Sequence, residues 1–258
     1  MPYPSITVTF LGTGTSGGVP MVACQCEVCL SDNKKDKRLR SSILVKSETT
    51  TIVVDATPDF RQQMLRENVR HIDAILLTHA HKDHTGGLDD TRAYQFFQQA
   101  PTKIYGSKHS LEGVKREVPY AFDGTDYPGV PAFNLCEVDL TPFVIGDIPI
   151  IPILVWHHLM PVYGYRFGDF TYITDANKID ESEKEKIRDC DTLVLNALRK
   201  KKHISHFSLS EAIHLSQELT VNRTYFTHIS HQMGKHANIT SELPEKIALA
   251  YDGLKLTC

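Results

Sequence analysis

A stretch rich in metal-ligating side chains follows an apolar run in the first third of the chain. Ile72–Leu77 is dense in Ile and Leu, and the residues after it read Thr-His-Ala-His-Lys-Asp-His-Thr-Gly-Gly. Imidazole and carboxylate groups are ligands that suit Zn, Mn or Fe. Three histidines and one aspartate fall within six positions: His79, His81, Asp83 and His84. The stretch therefore predicts a metal site.

The spacing of these four side chains favours two metals over one. His79 and His81 point to the same side of an extended segment, because side chains on a strand alternate with a period of two. If the chain turns into a helix at Gly86-Gly87, Asp83 and His84 face a second point nearby. One short loop can then hold two metals. The alternatives are a histidine-rich surface loop and a single metal site.

Further candidate ligands stand where later apolar segments end. Because neighbouring strands deliver their ends to one rim of a sheet, these side chains should converge on that rim. The later candidates are the adjacent His157 and His158, then Asp175 and His228. This recurrence favours a built metal centre over scattered surface histidines.

A second, different cluster lies near the amino terminus, in Cys24-Gln25-Cys26-Glu27-Val28-Cys29. Three thiolates with this spacing need a fourth ligand to close a tetrahedral zinc site. The Gly-rich run Gly12–Gly18 precedes them but fits neither the dinucleotide nor the P-loop pattern. We interpret it as backbone that passes close to the metal cleft.

The remaining pattern predicts an α/β protein. Ser41–Val45 and Thr51–Asp55 read as a hairpin. Helices are predicted over Leu88–Gln99, over Ser107–Glu117 with Ser107 as N-cap, and over Glu181–Arg188. Gly124–Pro142 is rich in Pro, Gly and Asp, and we expect an irregular loop of the kind that often forms a functional lid.

Length and composition limit the number of domains and the possible location of the protein. The 258 residues, 41% of them hydrophobic, can form one large α/β domain or two small ones, and no linker or internal repeat divides them. No window is long and apolar enough to cross a membrane. The first residues, Met1-Pro2-Tyr3-Pro4, lack the features of a signal peptide. Together with cysteines at metal-ligand spacing, these features predict a cytoplasmic protein.

The H-x-H-x-D-H stretch after an apolar strand resembles the metallo-β-lactamase superfamily, and the resemblance extends over nearly the whole chain. It implies an αββα sandwich, with two mixed sheets flanked by helices and a dinuclear metal site at their edge. Residues 1–258 would form one hydrolase domain, with a zinc-binding cysteine loop at about 20–40. By position, one metal takes His79, His81 and His157, the other takes Asp83, His84 and His228, and Asp175 bridges both. We prefer His157 to His158 because it directly ends its strand.

Two further stretches resemble the PhnP-type phosphodiesterases, which act on phosphoribosyl 1,2-cyclic phosphate. These are Gly12–Pro20 with the Cys-x-Cys-x-x-Cys that follows, and Thr-His-Ile-Ser-His at 227–231. The resemblance implies a structural zinc on Cys24, Cys26, Cys29 and His231. It also matches His206, in His-Phe-Ser-Leu-Ser after the basic run Arg199–His203, to a histidine that contacts phosphate and can protonate the leaving oxygen.

The function that this resemblance implies is hydrolysis of a small cyclic phosphodiester by a hydroxide that bridges two metals (Zn, Mn or Fe). Asp83 and His206 are the catalytic candidates. One alternative is a nuclease or RNA-processing hydrolase of the same fold; the net charge of −3 and the lack of a basic inserted arm argue against nucleic acid. Another is a metal-binding regulator without activity, although no expected ligand is missing. A homodimer is left open.

Overall fold

The computed structural model describes residues 4–124, 127 and 129–258. The strands of its first sheet are β1 (Thr7–Gly12), β2 (Ser42–Lys46), β3 (Thr51–Val54), β4 (Ala74–Leu76), β5 (Thr102–Gly106), β6 (Phe133–Glu137) and the last strand, β15 (Lys255–Thr257). They lie in the order β15-β1-β2-β3-β4-β5-β6. Pairing is antiparallel from β15 to β3 and parallel from β3 to β6, so this sheet is mixed.

The second sheet comes from the carboxyl-terminal half. Its strands are β7 (Phe143–Ile145), β8 (Ile148–His157), β9 (Met160–Phe167), β10 (Phe170–Tyr172), β11 (Lys178–Ile179), β12 (Thr192–Asn196), β13 (Arg223–Thr227) and β14 (Ile247–Leu249). The order is β11-β8-β9-β10-β12-β13-β14, with β7 paired to β8. The strands β10, β12, β13 and β14 run parallel, and the others pair antiparallel.

Seven α-helices accompany the sheets in the described part of the chain. They are α1 (Phe60–Arg66), α2 (Lys82–Thr85), α3 (Arg92–Gln98), α4 (Lys108–Glu117), α5 (Glu181–Lys184), α6 (Leu209–Glu218) and α7 (His236–Glu242). Ser107 caps α4 by accepting a hydrogen bond from the Ser110 amide, as predicted. Ser208 and Glu211 form a capping box at the start of α6.

Three apolar cores hold these layers together. Phe10 and Ile43 of the first sheet meet Tyr165 and Tyr172 of the second in the core between the sheets. The outer face of the first sheet packs on α1 and α4, and the outer face of the second packs on α6. Helix, sheet, sheet and helix therefore form four layers, and the predicted αββα sandwich of two mixed sheets is confirmed.

Close packing against its neighbours fixes the loop that follows β4. A Cβ on Gly87 would lie 2.0 Å from the Thr57 carbonyl oxygen, and one on Gly113 would lie 2.2 Å from Cβ of Ala80. Only glycine fits at either position, because such distances are shorter than any real carbon contact. The loop carrying the histidine motif is thus held between the start of α1 and the face of α4.

Three predicted elements differ from the structure. The helix after the motif begins at Lys82, before Gly86-Gly87, and Leu88–Gln99 divides into a 3-10 turn (Leu88–Thr91) and α3. The helix predicted over Glu181–Arg188 ends at Lys184. The loop predicted over Gly124–Pro142 contains strand β6, because parallel pairing with β5 overrides its weak local pattern.

Parts of two predictions lie outside the described residues: 1–3 of the amino-terminal stretch, and 125, 126 and 128 of the long loop. Among the described residues, none of the helices has the length and apolar character needed to cross a membrane.

Candidate metal centres

Two carboxylates and two imidazoles converge at one rim of the sandwich. Ligand atoms of Asp83, His84, Asp175 and His228 all lie within 4.8 Å of one another. Oδ2 of Asp175 is 3.2 Å from Nε2 of His84 and 3.1 Å from Nδ1 of His228. Oδ2 of Asp83 is also 3.2 Å from Nε2 of His84. The structure therefore brings together the whole set predicted for one of the two metals.

The ligands predicted for the other metal lie beside this group. The ring centroid of His81 is 4.6 Å from that of His79 and 5.2 Å from that of His157. The His79 ring is 4.2 Å from the His84 ring, so the two sets adjoin. Asp175 belongs to both neighbourhoods, because its carboxylate also groups with His157 within 4.8 Å. This is the place expected of a bridging carboxylate.

Two ligand nitrogens in this cluster are buried without a hydrogen-bond partner in the described chain. They are Nε2 of His79 and Nε2 of His84. Leaving a buried polar atom unpaired is costly, so native proteins rarely do it without a ligand or water. Imidazole and carboxylate together are a donor set for Zn, Mn or Fe. Nε2 of His84 nevertheless lies 3.2 Å from carboxylate oxygens of Asp83 and Asp175, so the two nitrogens and the carboxylates together fit a pair of divalent cations.

Hydrogen bonds from outside the cluster set which nitrogen each ring presents. Nδ1–H of His84 donates to Oδ2 of Asp55 at 2.7 Å, and Nδ1–H of His157 donates to the Ser205 carbonyl at 2.8 Å. The Thr78 hydroxyl donates to Asp55 and accepts from Nδ1 of His79 at 3.0 Å. In each ring Nε2 is left for a metal, the usual arrangement around ligating histidines.

Asp55 is a site residue that the sequence interpretation missed. The pattern marked it only as the end of a strand, with no metal-ligand spacing to single it out. It is fully buried at the end of β3 with a left-handed φ of 66°, and it accepts hydrogen bonds from Thr78 and His84. One feature of the sequence could have identified Asp55. It ends one predicted strand, and the histidine motif follows the next strand.

The cluster carries an excess of negative charge that favours a cation. Burial disfavours a charged imidazole at His84, yet the carboxylates of Asp175, Asp83 and Asp55 raise its pKa well above the usual value. Burial likewise opposes ionisation of Asp83, but the neighbouring His84 holds the pKa of this carboxyl below its usual range. Divalent cations bound in the cluster would balance the same negative charge.

The glycine-rich loop reaches this cluster. This agrees with our interpretation of the loop as backbone that passes close to the metal cleft. Gly14 forms an isolated β-bridge with Ile229, the residue after His228. Oγ1 of Thr15 lies 3.2 Å from Nε2 of His228. The loop therefore supports the last predicted ligand from the side opposite Asp175.

His206 lies inside the cluster. Its ring centroid is 4.5 Å from that of His157 and 4.8 Å from that of His228, and its Nδ1 is 3.8 Å from Oδ1 of Asp175. Nδ1 is buried without a hydrogen-bond partner in the described chain. Burial first, and then His228, lower the pKa of His206 to about 3. The His203 ring lies beside that of His206, tilted by 38°, with ring centroids 5.2 Å apart.

The two adjacent histidines after β8 have different surroundings. His157 packs among the rings of His79, His81 and His206. His158 occupies the exposed turn between β8 and β9, with a left-handed φ of 59°. This geometry favours His157 as the ligand.

The cysteine cluster is a separate group on the amino-terminal loop. Ligand atoms of Cys24, Cys26, Cys29 and His231 lie within 4.8 Å of one another. Nδ1 of His231 is 3.2 Å from Sγ of Cys24 and 3.3 Å from Sγ of Cys26. Zn–S bonds of about 2.3 Å and Zn–N bonds of about 2.0 Å span such gaps, so the set fits one tetrahedral zinc.

Hydrogen bonding prepares one of these thiols for a metal. The Cys29 amide, and next His231, lower the pKa of Cys26 to about 6, so Cys26 is a thiolate at neutral pH. Burial raises the pKa of Cys29 to about 11. Metal binding to Cys29 would therefore release a proton.

A buried charged network joins the cysteine loop to the body of the protein. The Arg38 guanidinium donates to Thr13 Oγ1 at 2.7 Å and to the Ala250 carbonyl at 2.6 Å. Asp252 accepts from the Thr13 hydroxyl and from the Leu39 amide, each at 2.7 Å. Arg38 also lies 3.1 Å from Nδ1 of His236 through its other terminal nitrogen. The base of the cysteine loop is thereby fixed to the glycine-rich loop.

Comparisons with known proteins agree with this architecture. Residues 50–229 match the family described as beta-lactamase superfamily domain. A solved structure of a new diphosphatase from the PhnP family is 38% identical, covers 97% of both chains and superposes with a TM-score of 0.91. Zn²⁺-bound PqqB from Methylobacterium extorquens covers 97% of this chain and 99% of its own, with a TM-score of 0.78; at 21% identity it supports the fold alone.

A curated relative from Porphyromonas gingivalis, named octanoyltransferase, is 37% identical over 249 residues. These residues are 95% of this chain but 50% of that relative, so this chain spans half of its length. The name of the longer protein therefore does not transfer directly. The family match over most of the chain and the full-length likeness to a PhnP-family structure lead to one conclusion: the chain belongs to the beta-lactamase superfamily and, within it, to the PhnP family.

Proposed function

We propose that this protein is a metal-dependent hydrolase that cleaves a phosphoric ester bond in a small substrate, such as a cyclic phosphodiester of the phosphoribosyl type. One observation carries the proposal most: Asp175 groups with Asp83, His84 and His228 on one side and with His157 and His206 on the other, and the rings of His79 and His81 adjoin them. The likeness to a PhnP-family diphosphatase supports the substrate class, because a diphosphatase cleaves a phosphorus–oxygen bond.

The proposed ligands follow the two neighbourhoods. One metal would be held by His79, His81 and His157 and the other by Asp83, His84 and His228, with Asp175 as a shared ligand. Cys24, Cys26, Cys29 and His231 would hold a structural zinc. The two divalent cations (Zn, Mn or Fe) would supply charge stabilisation at the phosphate and a water of lowered pKa.

The chain's own side chains would direct the reaction. Hydrolysis joins a water oxygen to phosphorus and breaks the bond to the leaving oxygen, which needs a proton. His206 lies at the edge of both ligand sets and can donate a hydrogen bond or a proton to that oxygen. Because the low pKa of His206 leaves it neutral at neutral pH, the proton that it passes to the leaving oxygen must come from the attacking water in the same cycle.

Asp83 has a second proposed role besides ligation. Its side chain is 13% exposed, whereas that of His84 is fully buried, so part of the Asp83 side chain faces solvent. One oxygen can bind a metal while the other accepts a hydrogen bond from the attacking water. This orients the water toward phosphorus.

We propose that residues 1–258 act as one domain, with the cysteine loop at about 20–40 as its zinc-binding part. The pairing of β15 with β1, from opposite ends of the chain, supports this. We also propose a cytoplasmic location; none of the six cysteines in the described chain forms a disulfide, which is typical of a reducing compartment.

A second candidate substrate is a small diphosphate, in which a phosphoric anhydride replaces the ester. The 38% identical structure over 97% of both chains bears the name diphosphatase, and this favours the anhydride specifically. The same metal ligands serve either bond. A nuclease of the same fold is disfavoured by the net charge of −3.

The test compares leaving groups. His206→Ala should slow hydrolysis of a ribose cyclic phosphate roughly 10²-fold or more, because an alkoxide needs protonation. It should slow hydrolysis of bis-p-nitrophenyl phosphate much less, because nitrophenolate is a good leaving group. A loss in kcat, not in KM alone, would place His206 in the transition state.

Equal losses on both substrates would leave His206 only a phosphate-positioning role. The substrate proposal itself fails if metal-loaded wild-type protein cleaves long RNA much faster than small phosphodiesters or diphosphates. Absence of any phosphoric ester or anhydride hydrolysis would remove the enzymatic proposal altogether.

A further inference from the structure

His206 lies on a segment without regular secondary structure. Residues 197–208 join β12 to α6 and form neither helix nor strand. A ladder of strand hydrogen bonds therefore does not fix the place of this side chain. Nδ1 of its ring has no hydrogen-bond partner in the described chain, whereas Nδ1 of His84 and of His157 each bond to the chain. The position of the His206 imidazole thus depends on what holds its backbone.

The residue after Asp175 is a fixed support for this segment. The side chain of Asn196, which is fully buried, accepts from the Ala176 amide at 2.8 Å and donates to the Ala176 carbonyl at 2.9 Å. The same carbonyl accepts from the Phe207 amide at 2.8 Å. The residue that follows Asp175 is thereby joined directly to the residue that follows His206.

Asn177, the next residue along the chain, adds a bridge through its side chain. Its Oδ1 accepts from the His158 amide at 2.8 Å, and its Nδ2 donates to the Ile204 carbonyl at 3.0 Å. Its own amide donates to the Trp156 carbonyl at 2.8 Å. One carboxamide can make both side-chain bonds because it carries an acceptor oxygen and a donor nitrogen. Asn177 therefore connects the end of β8 to the segment that carries His206.

Ser205, the residue before His206, makes a further contact with the end of β8. Its carbonyl accepts from Nδ1 of His157 at 2.8 Å. Hydrogen bonds to the two residues before His206 and to the one after it thus hold the segment in place. Among these bonds, the one from Asn177 comes from a half-buried side chain outside the candidate ligand set. It can be removed without changing a ligand.

We propose that Asn177 is a positioning residue for the reaction, which holds the segment at Ile204 and so keeps the His206 imidazole beside the shared carboxylate of Asp175. Nδ1 of His206 lies 3.8 Å from Oδ1 of Asp175. The proposal rests on the proposed function, in which His206 acts on the leaving oxygen. A displacement of about 1 Å can cost roughly 10²-fold in rate, because the reacting groups must be closely aligned.

The first experiment removes the bridge in two backgrounds. Asn177→Ala should lower kcat for a ribose cyclic phosphate roughly tenfold to a hundredfold, with a much smaller change in KM. The same substitution added to His206→Ala should cost no more than about twofold further, because the imidazole that Asn177 positions is already absent. A general folding defect would instead slow the reaction by the same factor in both backgrounds.

Asn222→Ala is the matched control. Asn222 precedes β13 at the end of the strand opposite His228, and its side chain donates to Asp191 at 3.2 Å. This variant also loses a side-chain hydrogen bond of an asparagine, but outside the site. Its kcat should equal that of the wild-type protein. Metal content should match the wild type in both single variants, because neither changes a candidate ligand.

Amide hydrogen exchange, followed by mass spectrometry, gives a readout that does not depend on catalysis. In Asn177→Ala the His158 amide loses its acceptor, and residues 203–208 lose one of their anchors. Peptides that cover residues 157–160 and 203–208 should therefore exchange at least about tenfold faster than in the wild-type protein. Peptides from α6 should exchange at the wild-type rate, because the capping box of this helix is unchanged.

Three results would overturn the proposal. These are an unchanged kcat in Asn177→Ala, an equal loss with and without the His206 imidazole, or unchanged exchange over residues 203–208. If the wild-type protein hydrolyses neither phosphoric esters nor anhydrides, the proposed function fails. Exchange alone then decides whether Asn177 holds the segment.

Discussion

The two ligand clusters of this protein are built differently. The His/Asp cluster is largely buried, and hydrogen bonds from Asp55, Thr78 and Ser205 fix its rings. The cysteine cluster is half-buried on a loop, with its thiols close to one another and to His231. The first arrangement orients its rings through hydrogen bonds from the chain, whereas the thiols of the second would be held together by a metal, on a loop whose base Arg38 fixes.

The clusters are nevertheless joined through four residues. His228 and His231 belong to one short segment after β13, and Ile229 between them bridges to Gly14. A zinc that fixes His231 would therefore also restrain the backbone that carries His228. This suggests that the cysteine cluster acts on the reaction through position, without touching substrate.

The substitution Asp175→Asn should distinguish the roles of the two clusters most clearly. Asp175 has a left-handed φ of 53°, which Asn tolerates, so the fold should survive. Losing the shared carboxylate should lower kcat at least about 10³-fold, since metal charge stabilisation is worth several kcal/mol. Hydrolysis rates and circular dichroism check this. Near-normal turnover would show that Asp175 does not hold the reacting centre.

Cys26→Ser should have the opposite signature, a loss of stability and of one zinc per chain. Structural zinc contributes folding free energy directly. A loss of about 2 kcal/mol would lower the melting temperature by roughly 4–8 °C in a chain of this size. Cys136→Ser, which changes a thiol outside both clusters, is the control. Unchanged melting and zinc content in Cys26→Ser would refute the structural site.

Asp55→Asn tests whether the buried cluster depends on its outer hydrogen bonds. Replacing the partner of a metal-ligating histidine typically costs 10–100-fold in metal affinity. We expect a loss of about that size at the His/Asp cluster and none at the cysteine cluster. Competition titration with a chelator measures both. Equal weakening at the two clusters would indicate a general loss of folding.

A smaller effect concerns the network between the clusters. Burial raises the pKa of Asp252 from the usual 3.8 to about 6, so the folded protein binds this proton more tightly than the unfolded chain does. The stabilising contribution of Asp252 is complete below about pH 4 and is lost as the pH rises through about 6. The difference in unfolding free energy between wild type and Asp252→Asn should therefore decline across that window.

Urea titrations of both proteins at several pH values measure this difference, and protonation of the metal ligands, common to both, cancels. A difference that stays flat from pH 4 to 7 would show that Asp252 titrates normally in the fold.

The features that the sequence predicted correctly are those that depend on short-range patterns. Ligand spacing in residues 79–84 and 24–29 was enough to nominate these residues as ligands, and the resemblance that these motifs carry implied the sandwich and the rest of the ligand set. The features that the sequence did not predict have weak local patterns and depend on residues that are distant in the sequence. Strand β6 exists because β5 lies beside it, and Asp55 matters because β3 and β4 are parallel and place it under His84.

The exposure of Phe96 and Phe97 on α3 is a second feature that the local sequence did not predict. The pattern of Leu88–Gln99 predicted a helix, and apolar residues in a helix ordinarily predict burial. Nothing in the local sequence shows that Phe96 and Phe97 face outward. That follows only from how α3 sits relative to α1 and the first sheet.

Metal analysis of protein purified without chelator tests the central claim most directly. Two ligand sets sharing Asp175, and a separate cysteine cluster, predict about three metals per chain. Mild chelation should remove two of them and leave one zinc, which is then lost in Cys26→Ser. A total of one metal per fully active chain would contradict the paired site, and with it the division of labour between the two clusters.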